Sequence, residues 1–294
     1  MASFSTFLTT VYRRLEEINH FEVYANNTTH SLHNDYVHKF VALILWRISR
    51  KKKFALPFEK IDDHIGSTLV LQRIWYHSIS ISIVYFILIK LIQRFMQNRP
   101  PFQLKTPLLV WNASLSIFSF FGFIRFFEEL VYSYTQLGLY HSLCYTIHTN
   151  GAAAFWSLLF AISKIVELGD TLFIVLRKKP LIFLHYYHHV AVLILTAHSG
   201  AEHAASGRFF VCMNFFVHFI MYAYYACTAY GVRPSRSIAM SLTTLQIIQM
   251  IGGVTVTSLV YNIKTRTDLP YVLLFDPLSA NRFCHIVIAE AVEL

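Results

Sequence analysis

Six predominantly apolar stretches, each at least 20 residues long, dominate the chain at about residues 74–95, 107–127, 152–176, 181–200, 207–230 and 237–261. An α-helix rises about 1.5 Å per residue, so about 20 apolar residues cross the hydrocarbon of a bilayer. Inside lipid, every backbone polar group must find its partner within the protein, and a helix does this by itself. The fold class read from the sequence is therefore all-α: a polytopic membrane protein of six transmembrane helices. A doubtful or truncated seventh falls at about 271–294, where "DPLSANR" breaks the apolar pattern. Composition agrees, since 55% of residues are hydrophobic and only 14% are charged, too few charges for a soluble domain.

Three regions follow: an N-terminal lumenal or interfacial segment (1–73), a membrane domain (74–262) and an atypical C-terminal segment (263–294). In the first, "KFVALILWRISRKKK" is too short to span and reads as an interfacial amphipathic helix. "MASFSTFLTTVYRRLEEINH" places its basic residues after the apolar ones, the wrong order for a cleavable signal, so the first span serves as the membrane signal.

The net charge is +9, but the positive residues cluster beside the spans. That placement suits topology, anionic lipid or a phosphate-bearing substrate, and not nucleic acid. The loops "NRPPFQLK", "RKKP" and "GVRPSRS" are more basic than "FEELVYSYTQLGLYHS" and "GAEHAASGR". The first set is expected in the cytosol, and the N-terminus in the lumen. Overlapping sequons at Asn26 and Asn27 fit that orientation; Lys51 to Lys53, Lys264 and Arg266 run against it.

Polar residues inside the spans form stripes. In the third span, Lys164, Glu167 and Thr171 share a helix face with Asp170 on its flank, and Lys164 and Glu167 are spaced to pair. The fourth holds His185, His188 and His189 on one face. In the fifth, Asn214, His218, Met221 and Tyr225 form a stripe with Tyr222 beside it, and in the sixth Thr243, Gln246 and Gln249 descend one side. From the cytosolic ends, Asp170 lies roughly 9 Å deep, His188 about 10 Å, Glu167 and Gln246 about 14 Å and His218 about 18 Å. One intramembrane histidine or asparagine is often interhelical glue, and Tyr222 or Tyr225 alone would be packing. Four polar faces on successive spans at one depth point instead to a polar chamber with a function.

Three chemistries compete. A membrane di-iron desaturase or hydroxylase needs about eight histidine ligands, and the spans carry a single HxxHH. A transporter or receptor would bury charges, but a transporter favours helices broken at mid-span, whereas the third to fifth spans read as largely uninterrupted. Acyl transfer fits best: histidines as nucleophile and base, amides as oxyanion donors, and basic loops at the mouth for a phosphate-rich carrier.

"KIVELGDT", "HYYHH", "MNFFVHFIMYAYY" and "TTLQIIQ", in this order on successive spans, resemble the signature set of the very-long-chain fatty acid elongases. "NRPPFQLKTPLLVWNASLSIFSFFGFIR" and "LRKKPLIFLHYYHH" also fit, so the likeness covers about residues 74–262. The resemblance implies a seven-helix protein of the endoplasmic reticulum membrane whose helices enclose a substrate tunnel. It implies a 3-ketoacyl-CoA synthase that condenses malonyl-CoA with a long-chain acyl-CoA, releasing CO₂ and CoA. The cycle's ketoreductase, dehydratase and enoyl reductase would be partners, and a homodimer is in keeping. No metal or redox cofactor is needed, because decarboxylation makes the carbanion. On this reading His188 is the nucleophile, forming an acyl-imidazole, with His218 as partner or second acceptor. His185 and His189 would set tautomer and proton flow; Asn214, Gln246 and Gln249 would stabilise an oxyanion or enolate. Lys164, Glu167, Asp170 and Thr171 would balance charge and orient the histidines, with Tyr222 and Tyr225 lining the substrate path. Arg177, Lys178, Lys179, Arg233 and Arg236 would bind CoA phosphates. A histidine at position 185, the first of the box, goes in the family with saturated and monounsaturated acyl groups, and the wider text is most like the palmitoyl-type elongases.

After about Asn262 the chain departs from the family pattern, which carries a full seventh span and often a basic retrieval signal. Ending in "AEAVEL", it reads as a truncated or alternatively spliced product. The four cysteines, Cys144, Cys212, Cys227 and Cys284, form no close-spaced pair. If the chain does not re-enter the membrane after the sixth span, Cys144 and Cys284 are both lumenal, where disulfides persist. A Cys144–Cys284 bridge and two free thiols both stay open, since spacing carries no geometry.

Overall fold

A computed structural model of the protein describes residues 56–59, 64–144, 147, 152–204 and 206–266. The interfacial helix, the sequons, Cys284 and the segment 271–294 lie outside the described residues. What is described is helical throughout: a 3-10 turn at Pro57–Glu59, then α1 (His64–Ile74), α2 (His77–Met96), α3 (Lys105–Tyr132), a π-helical turn (Ser133–Leu137) and α4 (Gly138–Cys144). There follow α5 (Ala152–Val166), α6 (Gly169–Leu176), α7 (Phe183–Ala201), α8 (Gly207–Tyr230) and α9 (Arg236–Arg266).

Among the described residues, four stretches are long and apolar enough to cross a membrane: His77–Met96, Lys105–Gln136, Gly207–Tyr230 and Arg236–Ile263. They correspond to the first, second, fifth and sixth expected spans. The other two differ for identifiable reasons. Helix α7 covers the fourth, but four histidines dilute its apolar character. The third is not the uninterrupted helix expected. It breaks into α5 and α6 at Glu167 and Leu168, where the backbone tightens from the Glu167 N–H···O Ser163 bond (2.8 Å) to three-residue steps, Leu168 to Ile165 and Asp170 to Glu167. The second span also runs further than expected. What reads as the loop after it is the end of α3, the π-turn and α4. Arg125 and Glu128 sustain that extension as an i, i+3 pair 2.7 Å apart.

Helices α3 and α8 form the spine of the bundle. The face of α3 turned inward carries Asn112, Ser116, Ser119 and Gly122, small side chains that let two helices approach closely. Ser116 Oγ donates to the Phe219 carbonyl across this interface at 2.9 Å. A Cβ on Gly122 would stand 2.6 Å from the Phe215 ring. Phe215 centres an aromatic core with Phe126, Trp156 and Phe160. Helix α2 packs on α6 and α7 through Tyr85, Ile89 and Val175. Helix α9 lies against α8, and its Val256 and Val260 cover Leu143 and Cys144 of α4. Cys144 is thus buried at a helix end rather than set in a loop. The outward faces stay apolar: Ile83, Val84, Ile87, Leu88 and Leu91 of α2 are about half exposed, as lipid contact requires.

The two ends of the bundle are distinct. At one, the Phe102 amide donates to the Leu176 carbonyl (3.0 Å) and Lys178 Nζ to the Gln97 carbonyl (3.0 Å), tying the α2–α3 loop to the α6–α7 loop. Helix α8 also ends there, capped by left-handed Gly231, whose amide bonds Cys227 and Thr228. At the other end, Gln72 of α1 donates to the Ala201 carbonyl of α7. There too Glu59 is buried, accepting from Arg125 of α3 and, at 2.8 Å, from Trp156 of α5.

Candidate active site

The turn between α5 and α6 concentrates the buried charge. Lys164 and Glu167 are 3% and 5% exposed, in a bundle where an unpaired ion is costly. Their spacing on the helix brings Lys164 Nζ to 2.8 and 3.0 Å from the two Glu167 oxygens, the pairing expected from the sequence. Lys164 gives a third hydrogen bond to Asn214 Oδ1 of α8 (2.8 Å) and lies over the Phe160 ring. Ser163 Oγ donates to Glu167 Oε1 (3.0 Å), and His218 Nδ1 of α8 stands 3.7 Å from the same oxygen. Glu167 therefore joins an ammonium and an imidazole on two different helices.

Three residues on, Asp170 is held at both oxygens: by the Trp111 indole N–H of α3 (2.6 Å) and by the Tyr222 hydroxyl of α8 (2.7 Å). Gly169 makes the first contact feasible, because a Cβ there would stand 2.7 Å from the Trp111 ring. The Tyr222 ring also meets His218 edge-on at 5.5 Å. Next, fully buried Thr171 bonds Tyr85 of α2 (2.5 Å) and His185 Nε2 of α7 (3.1 Å). His185 packs edge-on against His189 at 4.6 Å, and His189 against His188 at 5.8 Å. Six helical segments thus contribute to one polar layer whose groups suit proton transfer, nucleophilic attack and oxyanion stabilisation.

The sixth-span glutamines stand apart from it. Gln246 donates to the Met221 sulfur at 3.6 Å, which ties α9 to α8. Among the described residues no hydrogen bond links Gln246 or Gln249 to the histidines or to Glu167. Tyr225 is 38% exposed, and its ring meets that of Tyr222 edge-on at 6.5 Å. Arg177 is half-buried, and Lys178, Lys179, Arg233 and Arg236 are exposed, all at the end where the α2–α3, α6–α7 and α8–α9 loops gather. Among the described residues, no group of three or more His, Cys, Asp or Glu side chains is disposed to hold a metal ion.

Trp111 and Tyr85 are the partners that sequence reasoning passed over. A ring carrying a polar hydrogen in an apolar span needs an acceptor, and that was the available signal.

The architecture and this layer define an all-helical polytopic membrane protein with a charged, histidine-rich interior. The family model described as ELO, the GNS1/SUR4 family, matches residues 70–288, and the chain belongs to this family of fatty acid elongases. The match continues past residue 262, where the motif likeness stops. The chain is 48% identical over 254 residues to a Caenorhabditis elegans protein named as fatty acid elongase 4, covering 86% of this chain and 82% of the other. It is 49% identical over 172 residues to very long chain fatty acid elongase 6 of Drosophila melanogaster, 58% of this chain and 54% of that one. Against very long chain fatty acid elongase 6 of Mus musculus it is 40% identical over 206 residues, 70% and 77% of the two chains.

Proposed function

We propose that this protein is the condensing enzyme of fatty acid elongation, converting an acyl-CoA and malonyl-CoA to 3-oxoacyl-CoA, CO₂ and CoA. The observation that carries the reading is the buried network of Lys164, Glu167, Asn214 and His218 beside a histidine box on the facing helix. The elongase names of the relatives support the same activity.

His188 attacks the acyl thioester, forming an acyl-imidazole and expelling CoA thiolate, which takes up the imidazole proton. Malonyl-CoA then loses CO₂, and the resulting enolate attacks the acyl carbon and expels the imidazole nitrogen, which takes back a proton delivered from solvent through His218. His218, backed by Glu167, handles the proton, and the Asn214 amide lies near the developing negative charge. The lysines and arginines at the loop-rich end take the phosphates of CoA. The acyl chain enters a tunnel between the helices, and that end of the bundle faces the cytosol from the endoplasmic reticulum membrane, with the N-terminus in the lumen. Saturated and monounsaturated long acyl groups are the substrates. The ketoreductase, dehydratase and enoyl reductase of the cycle receive the product.

The test uses microsomes carrying the chain, labelled malonyl-CoA and a panel of acyl-CoAs. The expected result is labelled 3-oxoacyl product from saturated and monounsaturated substrates. His188→Ala and His218→Ala should each reduce it by at least about a hundredfold at unchanged protein level. Full turnover in either variant, or iron-dependent desaturation by the purified protein, would contradict the reading.

A further inference from the structure

The proposed chemistry leaves the buried Tyr85 hydroxyl, bonded to Thr171 beside the histidine box, without a role. Tyr85 sits mid-way along α2, 7% exposed, and Thr171 is fully buried in α6. Tyr85 Oη lies 2.5 Å from Thr171 Oγ1, and Thr171 Oγ1 lies 3.1 Å from His185 Nε2. Three helices therefore meet in a single line of polar atoms.

The Thr171 hydroxyl has one proton and can give it to only one of these neighbours. A phenol is a stronger donor than an alkyl alcohol, which favours Tyr85 as the donor to Oγ1 and leaves the Thr171 proton available to His185 Nε2. A neutral imidazole that accepts at Nε2 carries its own proton on Nδ1. We propose that Tyr85 is a positioning residue for the histidine box: through Thr171 it fixes His185 as the Nδ1–H tautomer and holds its ring against His189. Without the phenol, Oγ1 loses the donor that orients it, and the Thr171 proton is free to turn away from Nε2. With its proton turned away, Oγ1 offers only lone pairs, and Nε2 must take the ring proton instead.

Only the kinetic part of this inference rests on the proposed function. The direct test is the nitrogen spectrum of the full chain labelled with ¹⁵N-histidine in micelles, with the His185 signals assigned by loss in His185→Gln. The expected result is a pyrrole-type Nδ1 and a pyridine-type Nε2 in the unmodified protein and in Thr171→Ser, and the reverse in Tyr85→Phe and Thr171→Val. One tautomer common to all four would overturn the proposal. In microsomes, Tyr85→Phe and Thr171→Val should each lower kcat roughly tenfold while KM for acyl-CoA stays within about twofold. The double variant should be no worse than either single one, because both break the same line of contact. Additive losses, or an undiminished kcat, would also overturn it. A chain devoid of condensing activity would refute the proposed function instead, and the tautomers would still decide the role of Tyr85.

Discussion

Lys164 is the residue on which the interior most depends. It is all but inaccessible and gives its hydrogen bonds to Glu167 and Asn214. Lys164→Met keeps most of the volume but takes the ammonium away from a buried carboxylate that Ser163 and His218 also meet. The expected loss is about 3–5 kcal/mol, read as a lowered unfolding temperature in detergent. Adding Glu167→Gln to that variant should restore part of the stability, and no recovery would mean that the ion pair is not what the melt reports. The pairing of Lys164 with Glu167 was legible in the sequence because both lie within one helical turn. The grip of Trp111 and Tyr222 on Asp170 was not, since it joins positions 59 and 52 residues apart. Periodicity shows which face a side chain occupies but not which helix that face meets.

Among the elements, the closest approach is that of α3 to α8. Gly122→Ala would press a methyl group into the Phe215 ring, which Phe118, Phe126, Trp156 and Phe160 hold from other sides. With the ring unable to move aside, the helices must separate. A destabilisation of about 1–3 kcal/mol is expected in the same melting assay, against little change for an alanine at exposed Ile117. The 3-10 turn gives a pH dependence. Burial alone would raise the Glu59 carboxyl, but hydrogen bonds from Arg125, Trp156 and the Leu56 amide outweigh it and hold the group below its ordinary 4.5. A depressed carboxyl stabilises the docked turn fully above that value and loses its contribution as pH falls further. The fluorescence of Trp156, taken as the difference from Trp156→Phe, should therefore change only below about pH 4.5, and a change centred near neutrality would contradict the clamp. The positions of the first, second, fifth and sixth spans were readable because apolar length is a one-dimensional property. The break at Glu167 and Leu168 was not readable, because it arises where side-chain bonds across the bundle compete with regular winding.

The molecule as a whole sets a buried, charged interior beside basic loops gathered at one end. If those loops receive CoA, Lys178→Ala with Arg233→Ala should raise KM for both CoA substrates several-fold and leave kcat near normal. A fall in kcat at constant KM would place their role elsewhere. The central claim, however, is that an imidazole in this interior carries the acyl group, and it can be met directly. The chain is incubated with a long-chain acyl-CoA in the absence of malonyl-CoA, quenched, digested and weighed by mass spectrometry. The expected outcome is one equivalent of CoA released and an acyl mass on the peptide containing His188, discharged on adding malonyl-CoA and absent in His188→Ala. An unmodified His188 peptide, in a preparation that goes on to form 3-oxoacyl product, would contradict it.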